Sequence, residues 1–222
     1  MNPKIIITED GSNTLFVPSL NENYHSSYGA IQESRHIFIN TGFLSVKKTN
    51  INIFEIGFGT GLNALLTYIE ASKNNQKTYY ETIELYPLEH EIIKALNYPQ
   101  ILTPLEKDVF FKIHSTWNEE IEISDFFTIK KIKADLIDFK FDKQFDLVYF
   151  DAFSPEVQPE MWTKEIFEKI FKQLNINGVL TTYSAKGSVK RILKETGFKI
   201  EKLSGPPGKR EIIRATKLKN HF

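Results

Sequence analysis

The chain has 222 residues, 28 Lys+Arg against 28 Asp+Glu, and no cysteine. That length suits one α/β domain of ordinary size rather than two full-sized ones. The missing cysteine excludes disulfides, thiolate metal sites and cysteine nucleophiles.

The amino-terminal stretch Met1–Thr8 lacks the apolar core and small-residue cleavage site of a signal peptide. No apolar run approaches the ~20 residues a membrane helix needs. A cytoplasmic protein with no membrane partner is expected. The balanced charge is unevenly spread. From Lys186 onward eleven Lys+Arg face three acids, a net +8, so the first 185 residues carry −8. Such a basic quarter is a footprint for a polyanion, or else a solvated surface with no partner.

Residues 1–45 read as an extension to the main fold, which takes residues 46–222. Lys4–Thr8 and Thr14–Val17 are predicted strands around an Asp10-Gly11 turn, and Ser26–Phe43 a helix. The first parallel strand is Ile51–Ile56, followed by a helix over Gly61–Ser72. Thr78–Glu84 is the second strand and Pro87–Leu96 its helix, with proline in the first turn. Ile121–Leu136 reads as a hairpin or extended strand leading into the third parallel strand. Phe145–Phe150 is the fourth, apolar after Asp146 as in a sheet covered on both faces. Pro159–Leu174 is a predicted helix, and Asn177-Gly178 turns the chain into strand Val179–Tyr183. Ser188–Thr196 is a helix with Gly197 past its end. Phe198–Leu203 and Glu211–Thr216 form a closing antiparallel pair. The alternation predicts a doubly wound, mostly parallel α/β sheet with an antiparallel last strand and a small amino-terminal β/α extension.

In such a sheet a ligand lies outside the carboxyl ends of the strands. The first strand runs into Gly57, Gly59 and Gly61, and this G-x-G-x-G spacing differs from the G-x-G-x-x-G of dinucleotide folds. With Glu55 two positions upstream, the loop resembles that of Rossmann-like S-adenosylmethionine-dependent methyltransferases. Glycines there let backbone N–H groups approach a ligand closely. Glu84, ending the second strand, is placed to accept both ribose hydroxyls of an adenosine, the alternative being a helix-cap or surface acid. Asp135, after the third strand, is placed to accept from an adenine amino group, with Asp138 a competitor. Asp151 follows four apolar residues and precedes a Pro-containing loop, so it is expected at the mouth of the sheet, beside the sulfonium. A carboxylate there suits an amine substrate. It orients the ammonium, then helps remove its proton so that the nitrogen lone pair can attack a methyl group. The alternative is a structural Asp capping the next helix.

Larger motifs carry a closer resemblance. Phe54-Glu-Ile-Gly-Phe-Gly-Thr-Gly-Leu-Asn63, Asp151-Ala-Phe-Ser-Pro155 with Pro159-Glu-Met-Trp162, Thr182-Tyr-Ser-Ala185 and Gly208-Lys-Arg-Glu211 are the main elements. Upstream, Glu22-Asn-Tyr-His-Ser26 with Gly29 and Glu33 joins them. Over roughly residues 10–216 the chain resembles the tRNA methyltransferases of the MnmC/MnmD type. These complete the 5-methylaminomethyl group of wobble (2-thio)uridine. The resemblance implies a class I methyltransferase fold and S-adenosylmethionine as cofactor. It implies that Asp151 is catalytic, and the cofactor site is read as Tyr24, closing over the cofactor, with Glu55, Gly57, Phe58, Gly59, Gly61, Asn63, Glu84 and Asp135. Where the family often has Gly after this Asp, the chain has Ala152. Bifunctional members carry a second, flavin-dependent oxidase domain, for which this length leaves no room, so a stand-alone methyltransferase is expected.

Three residues are read as substrate contacts, each with a plainer alternative. Trp162 lines the pocket or belongs to the core. Lys209 and Arg210, after the loop Ser204-Gly-Pro-Pro-Gly208, hold tRNA phosphates or sit in a solvated turn. Lys186, Lys190, Arg191 and Lys194 extend that patch or form a solvated helix face. The five histidines show no metal-ligand spacing, and no metal is expected. The alternative functions are a small-molecule N-methyltransferase or aminopropyltransferase on the same fold, and a nucleic-acid-binding module that has lost activity.

Overall fold

The computed structural model describes residues 3–219. Strands β1 (Lys4–Ile7), β2 (Asn13–Val17) and β3 (Glu22–Asn23) form a small antiparallel sheet. Helix α1 (Ala30–Ser34) follows and runs into a π-helical turn over Arg35–Asn40. The main sheet takes β4 (Asn50–Ile56), β5 (Lys77–Glu84), β6 (Glu120–Ser124), β7 (Phe127–Lys133), β8 (Phe145–Phe150), β9 (Leu174–Thr182), β10 (Lys199–Ser204) and β11 (Glu211–Thr216). Their spatial order is β10-β11-β9-β8-β4-β5-β7-β6. The five strands β9, β8, β4, β5 and β7 are parallel, while β11 runs antiparallel between β9 and β10, and β6 antiparallel on the far edge. This is the expected mostly parallel, doubly wound sheet. Its strand order reverses between β4 and β8, where a crevice opens at the carboxyl ends.

Alternation along each strand sends side chains to opposite faces. Ile53, Tyr80, Leu147 and Tyr149 join a core beneath α2 (Leu62–Asn74) and the amino-terminal elements, including Leu15, Ile37 and Phe38. Phe54, Ile56, Val148 and Phe150 join a second core beneath α6 (Lys164–Gln173) and α7 (Gly187–Thr196). Both faces are therefore covered, which explains why β8 is buried along its whole length. The extension through Phe43 contributes to the core beneath α2 and is stitched on by polar contacts. Asn13 and Asn97 exchange backbone-to-side-chain bonds of 2.8 Å each, and the Tyr98 hydroxyl donates to the Asn13 carbonyl at 2.6 Å.

Several element boundaries differ from the sequence expectation. Ser26–Gly29 is loop, because the Glu33 carboxylate folds back to accept the Ser26 N–H at 2.7 Å. The helix expected over Pro87–Leu96 is only α3 (His90–Ala95). Two further short helices, α4 (Tyr98–Leu102) and α5 (Lys107–His114), are anchored by buried Tyr98, Phe110 and Ile113. Residues 159–174 divide into a 3₁₀ turn (Pro159–Trp162) and α6, because the Thr163 side chain caps α6 by accepting the Ile166 N–H. Asn177-Gly178 lies inside β9, whose register against β8 shifts there, with Asn177 at φ +63°.

At the amino-terminal end of β8, buried Asp146 joins three segments. It accepts from Lys48 Nζ at 2.5 Å, the Asn52 N–H at 3.0 Å and Asn175 Nδ2 at 2.7 Å. Asp146→Ala would leave those donors without their acceptor, and should lower the unfolding free energy by about 2–3 kcal/mol. Urea denaturation checks this; a loss below about 0.5 kcal/mol would mean that water replaces the carboxylate at no cost.

Candidate active site

At the crevice, β4 passes into α2 through Gly57–Gly61. The Gly57 N–H donates to the Ile83 carbonyl at 3.0 Å, and the Asp151 N–H to the Ile56 carbonyl at 3.0 Å, tying the ends of β5, β4 and β8 together. Gly57 has φ +88°, and a Cβ there would stand 2.7 Å from the Asp151 carbonyl oxygen. No other residue fits this crossing without moving the backbone. Beyond it, the Gly59 N–H donates to Glu84 Oε2 at 3.1 Å and the Tyr86 N–H to Oε1 at 2.9 Å. Two backbone amides thus fix the Glu84 carboxylate and leave each oxygen a free lone pair.

The crevice encloses a cavity of about 630 Å³, roofed in part by Leu20–Ser27 of the extension. Among the described residues its charged lining is one-sided: Glu22, Glu33, Glu84, Asp135, Asp151 and Glu160 against the single cation Lys209. His25 also lines it, but burial lowers its pKa to about 4 and keeps it neutral. A wall of this sign attracts cations and excludes phosphates.

Asp151 faces the cavity from the end of β8. Asn63, in the first turn of α2, donates to Asp151 Oδ2 at 2.8 Å. Burial, reinforced by nearby Glu55, raises the Asp151 pKa well above the carboxylate range, while the Asn63 hydrogen bond and the Lys209 charge pull it down. Glu55 lies deeper, fully buried among Thr82, Asn63 and Tyr80, and neither oxygen makes a well-formed hydrogen bond. Burial raises its pKa to about 8.

Among the residues singled out from sequence, Tyr24, Gly57, Phe58, Gly59, Asn63, Glu84, Asp135, Asp151 and Lys209 line the cavity. Asp135 does so with its Oδ1 accepting the Ile137 N–H at 2.8 Å, whereas Asp138 is exposed outside the lining. Glu55 does not reach the cavity: β4 continues through Ile56, so Glu55 sits one residue inside the strand. Gly61 stands behind the loop against His114, where a Cβ would lie 2.6 Å from the ring. Trp162 takes its core alternative, packed edge-on to Phe150 with its indole N–H donating to the Phe153 carbonyl at 2.8 Å. Arg210 is exposed and outside the lining, while its neighbour Lys209 turns inward.

Sequence reasoning gave no role to three residues here. Glu33 and Tyr183 stood within quoted motifs, and both line the cavity. Lys131 was passed over. The alternation of β7 puts it on the same face as Phe127 and Ile129, and that period-two pattern could have flagged it. Its Nζ is buried with no hydrogen-bond partner, 4.7 Å from the Trp117 ring centre and 5.2 Å from that of Phe58. Burial lowers its pKa to about 7. Among the described residues no group of three His, Asp or Glu could hold a metal ion, and no helix is long and apolar enough to cross a membrane.

A family model described as S-adenosyl-L-methionine-dependent methyltransferase matches residues 90–218. The tRNA 5-methylaminomethyl-2-thiouridine biosynthesis bifunctional protein MnmC of Pseudomonas syringae is 28% identical over 208 residues, covering 87% of this chain and 31% of that protein. Its counterpart in Leptospira interrogans is 30% identical over 208 residues, covering 86% and 32%. The chain therefore spans about a third of the length of these curated relatives. The crystal structure of MnmC2 from Aquifex aeolicus superposes with a TM-score of 0.80 at 25% identity, covering 99% of this chain and 71% of that one. The motifs quoted from the sequence and the whole-chain comparisons lead to the same methyltransferases.

The buried acids carry a stability consequence. Glu55 keeps its proton up to about pH 8 when folded, but ionises near 4.5 when unfolded. Between those values the folded state holds the extra proton, so stability falls as pH rises through the window. Glu55→Gln should flatten that decline and stabilise the protein near pH 8 by on the order of a few kcal/mol. Urea midpoints at about pH 5 and pH 8 check it; an undiminished slope would show that Glu55 ionises as readily folded as unfolded.

Proposed function

The chain belongs to the S-adenosyl-L-methionine-dependent methyltransferase family, and we propose that it methylates the primary amine of 5-aminomethyl-(2-thio)uridine at the wobble position of tRNA. The observation that carries this reading is the charge of the cavity. Among the described residues six carboxyl groups face it against one lysine, and both groups to be bound, a sulfonium and an ammonium, are cations.

The residues present fit the cofactor. Gly57 and Gly59 bring no side chain to the loop, and the two remaining lone pairs of the Glu84 carboxylate match a pair of ribose hydroxyls. Asp135 is the acceptor for the adenine amino group. The first turn of α2, with no side-chain cap, offers free N–H groups to the amino-acid carboxylate. S-adenosylmethionine supplies a methyl group made electrophilic by its sulfonium.

Asp151 handles the nucleophile. Asn63 fixes one carboxylate oxygen and leaves the other for the substrate nitrogen. An alkylamine with pKa ~10.4 must lose a proton before it attacks, and an ordinary carboxylate at ~3.9 is a poor acceptor for that proton. Burial and Glu55 raise the Asp151 pKa and narrow the gap. Phosphates stay outside the acidic cavity, where Arg191, Lys194, Lys199 and Arg210 make no ion pair among the described residues. Other basic residues of this quarter are already paired: Lys186 with Glu156, Lys190 and Lys202 with Glu211, and Arg214 with Glu201. The tRNA-facing charge is thus smaller than the count of basic residues suggests. A protein working on tRNA in this way belongs in the cytoplasm.

Glu84→Ala should weaken S-adenosylhomocysteine binding by roughly 10–100-fold, the worth of a charge-assisted acceptor. Calorimetry reads this directly, and an unchanged affinity in a folded variant would remove Glu84 from the cofactor site. Asp151→Asn keeps the shape and loses the charge. It should bind cofactor and tRNA yet transfer methyl groups about 10²-fold more slowly at neutral pH, with a smaller loss at high pH. Single-turnover rates across pH decide it; a variant within a few-fold of the parent at neutral pH would make Asp151 a structural residue.

A further inference from the structure

Lys209 is the only cation lining the cavity among the described residues, and its position is specific. Its Nζ is 3.3 Å from Glu33 Oε1 and 5.0 Å from the centre of the Tyr183 ring. Both partners are held from behind. Glu33 is 8% exposed, and its other carboxylate oxygen accepts the Ser26 N–H at 2.7 Å. The Tyr183 hydroxyl donates to the Ala152 carbonyl at 2.8 Å, one residue past Asp151, which sets the ring beside the catalytic carboxylate. A fixed carboxylate together with an aromatic face is a receptor for an ammonium group. The lysine filling it comes from an exposed loop, where Pro207 and Gly208 precede it on the surface.

We propose that Glu33, the Tyr183 ring and Asp151 form the subsite for the substrate's ammonium group, and that Lys209 occupies it as an intramolecular stand-in until the substrate displaces it. This rests on the reading that the substrate is a primary amine. A lysine suits the part, being a compact charge on a flexible four-carbon stem. Without substrate, its charge sits against Glu33 and offsets the repulsion that Glu33 exerts on Asp151. When the substrate's ammonium arrives the offset is kept, and Lys209 is released toward the surface, where tRNA phosphates lie. The cavity then selects an amine over a neutral acceptor twice: by attraction at Glu33 and Asp151, and because a neutral group entering the subsite would leave the acids uncompensated. Occupancy by Lys209 lowers the apparent affinity for an isolated amine by the fraction of time the subsite is filled.

Substitutions at the two members of the ion pair should have opposite effects. Protein saturated with S-adenosylhomocysteine is titrated with 5-aminomethyluridine and, as an uncharged control, 5-hydroxymethyluridine. Lys209→Ala should bind the amine about tenfold more tightly than the parent, with the control unchanged. Glu33→Gln should bind the amine about tenfold more weakly, again with the control unchanged, and should raise KM for aminomethyl-tRNA with kcat within about threefold. Toward whole tRNA, Lys209→Ala should weaken binding and reduce its salt dependence, since the released ammonium is lost as a phosphate contact. An amine affinity in Lys209→Ala equal to or below the parent's overturns the stand-in. Equal losses for amine and control in Glu33→Gln reduce Glu33 to a structural role. Benzylamine as the titrant separates this inference from the choice of substrate: tighter binding by Lys209→Ala supports the ammonium subsite even if tRNA proves not to be methylated, and unchanged binding overturns it even if tRNA is.

Discussion

The in-register parallel pairing of β5, β4 and β8 is the constraint on which the rest of the molecule depends. Glu55 is paired with Thr82 on one side and Tyr149 on the other. Because side chains alternate with period two, Tyr80, Thr82 and Glu84 share a face with Ile53 and Glu55, and with Leu147, Tyr149 and Asp151. Glu84 and Asp151 therefore emerge on the same side of the sheet, beneath the first turn of α2, where Asn63 and the glycine loop meet them. A slip of one residue would turn all three acids toward α6 and bury them against Ile166 and Phe167. Gly57 guards this register, because its backbone passes within a Cβ's reach of Asp151.

The same register makes the site electrostatically costly. A sheet covered on both faces offers little water to its acids: burial raises the pKa of both Glu55 and Asp151, with Glu55 adding to the rise at Asp151 and Glu84 to that at Glu55. Among the described residues Asn63 is the only well-formed side-chain donor to this pair. That cost turns to use with cationic ligands: a sulfonium and an ammonium would supply the positive charge that such a lining favours. Lys209 reaching in from the β10–β11 loop is the chain's own partial compensation. The sheet thus keeps cation-binding acids inside, while most basic residues of the carboxyl-terminal quarter stay on the outer surface.

Much of this was legible in the sequence, for identifiable reasons. Phe145–Phe150 could be read because a strand buried on both faces needs a continuous apolar run. The position of Asp151 followed from where that run stops. Gly57 and Gly59 could be read because their spacing fits a strand-to-helix loop. The depth of Glu55 could not, since an acid one residue inside the strand end looks the same in sequence as one at the end. Trp162 was ambiguous because its indole N–H needs one acceptor, which a core carbonyl supplies as well as a ligand would. The helices before β6 were less legible, because α3, α4 and α5 are short pieces, each held by only one or two buried side chains: Ile93 in α3, Tyr98 and Pro99 in α4, Phe110 and Ile113 in α5. The pairing of Lys209 with Glu33 was beyond sequence reasoning: it spans most of the chain and exists only where the extension folds against the β10–β11 loop.

The central claim is that this acidic crevice exists to bring an amine to a methyl donor. Nucleoside mass spectrometry tests it most directly, on tRNA carrying the aminomethyl group at the wobble uridine, incubated with S-adenosylmethionine with and without the protein. The account predicts conversion of the aminomethyl nucleoside to its methylaminomethyl form only when the protein is present, with no methylation of a hydroxymethyl nucleoside at the same position. No conversion of the amine, or equal methylation of the neutral acceptor, would contradict it.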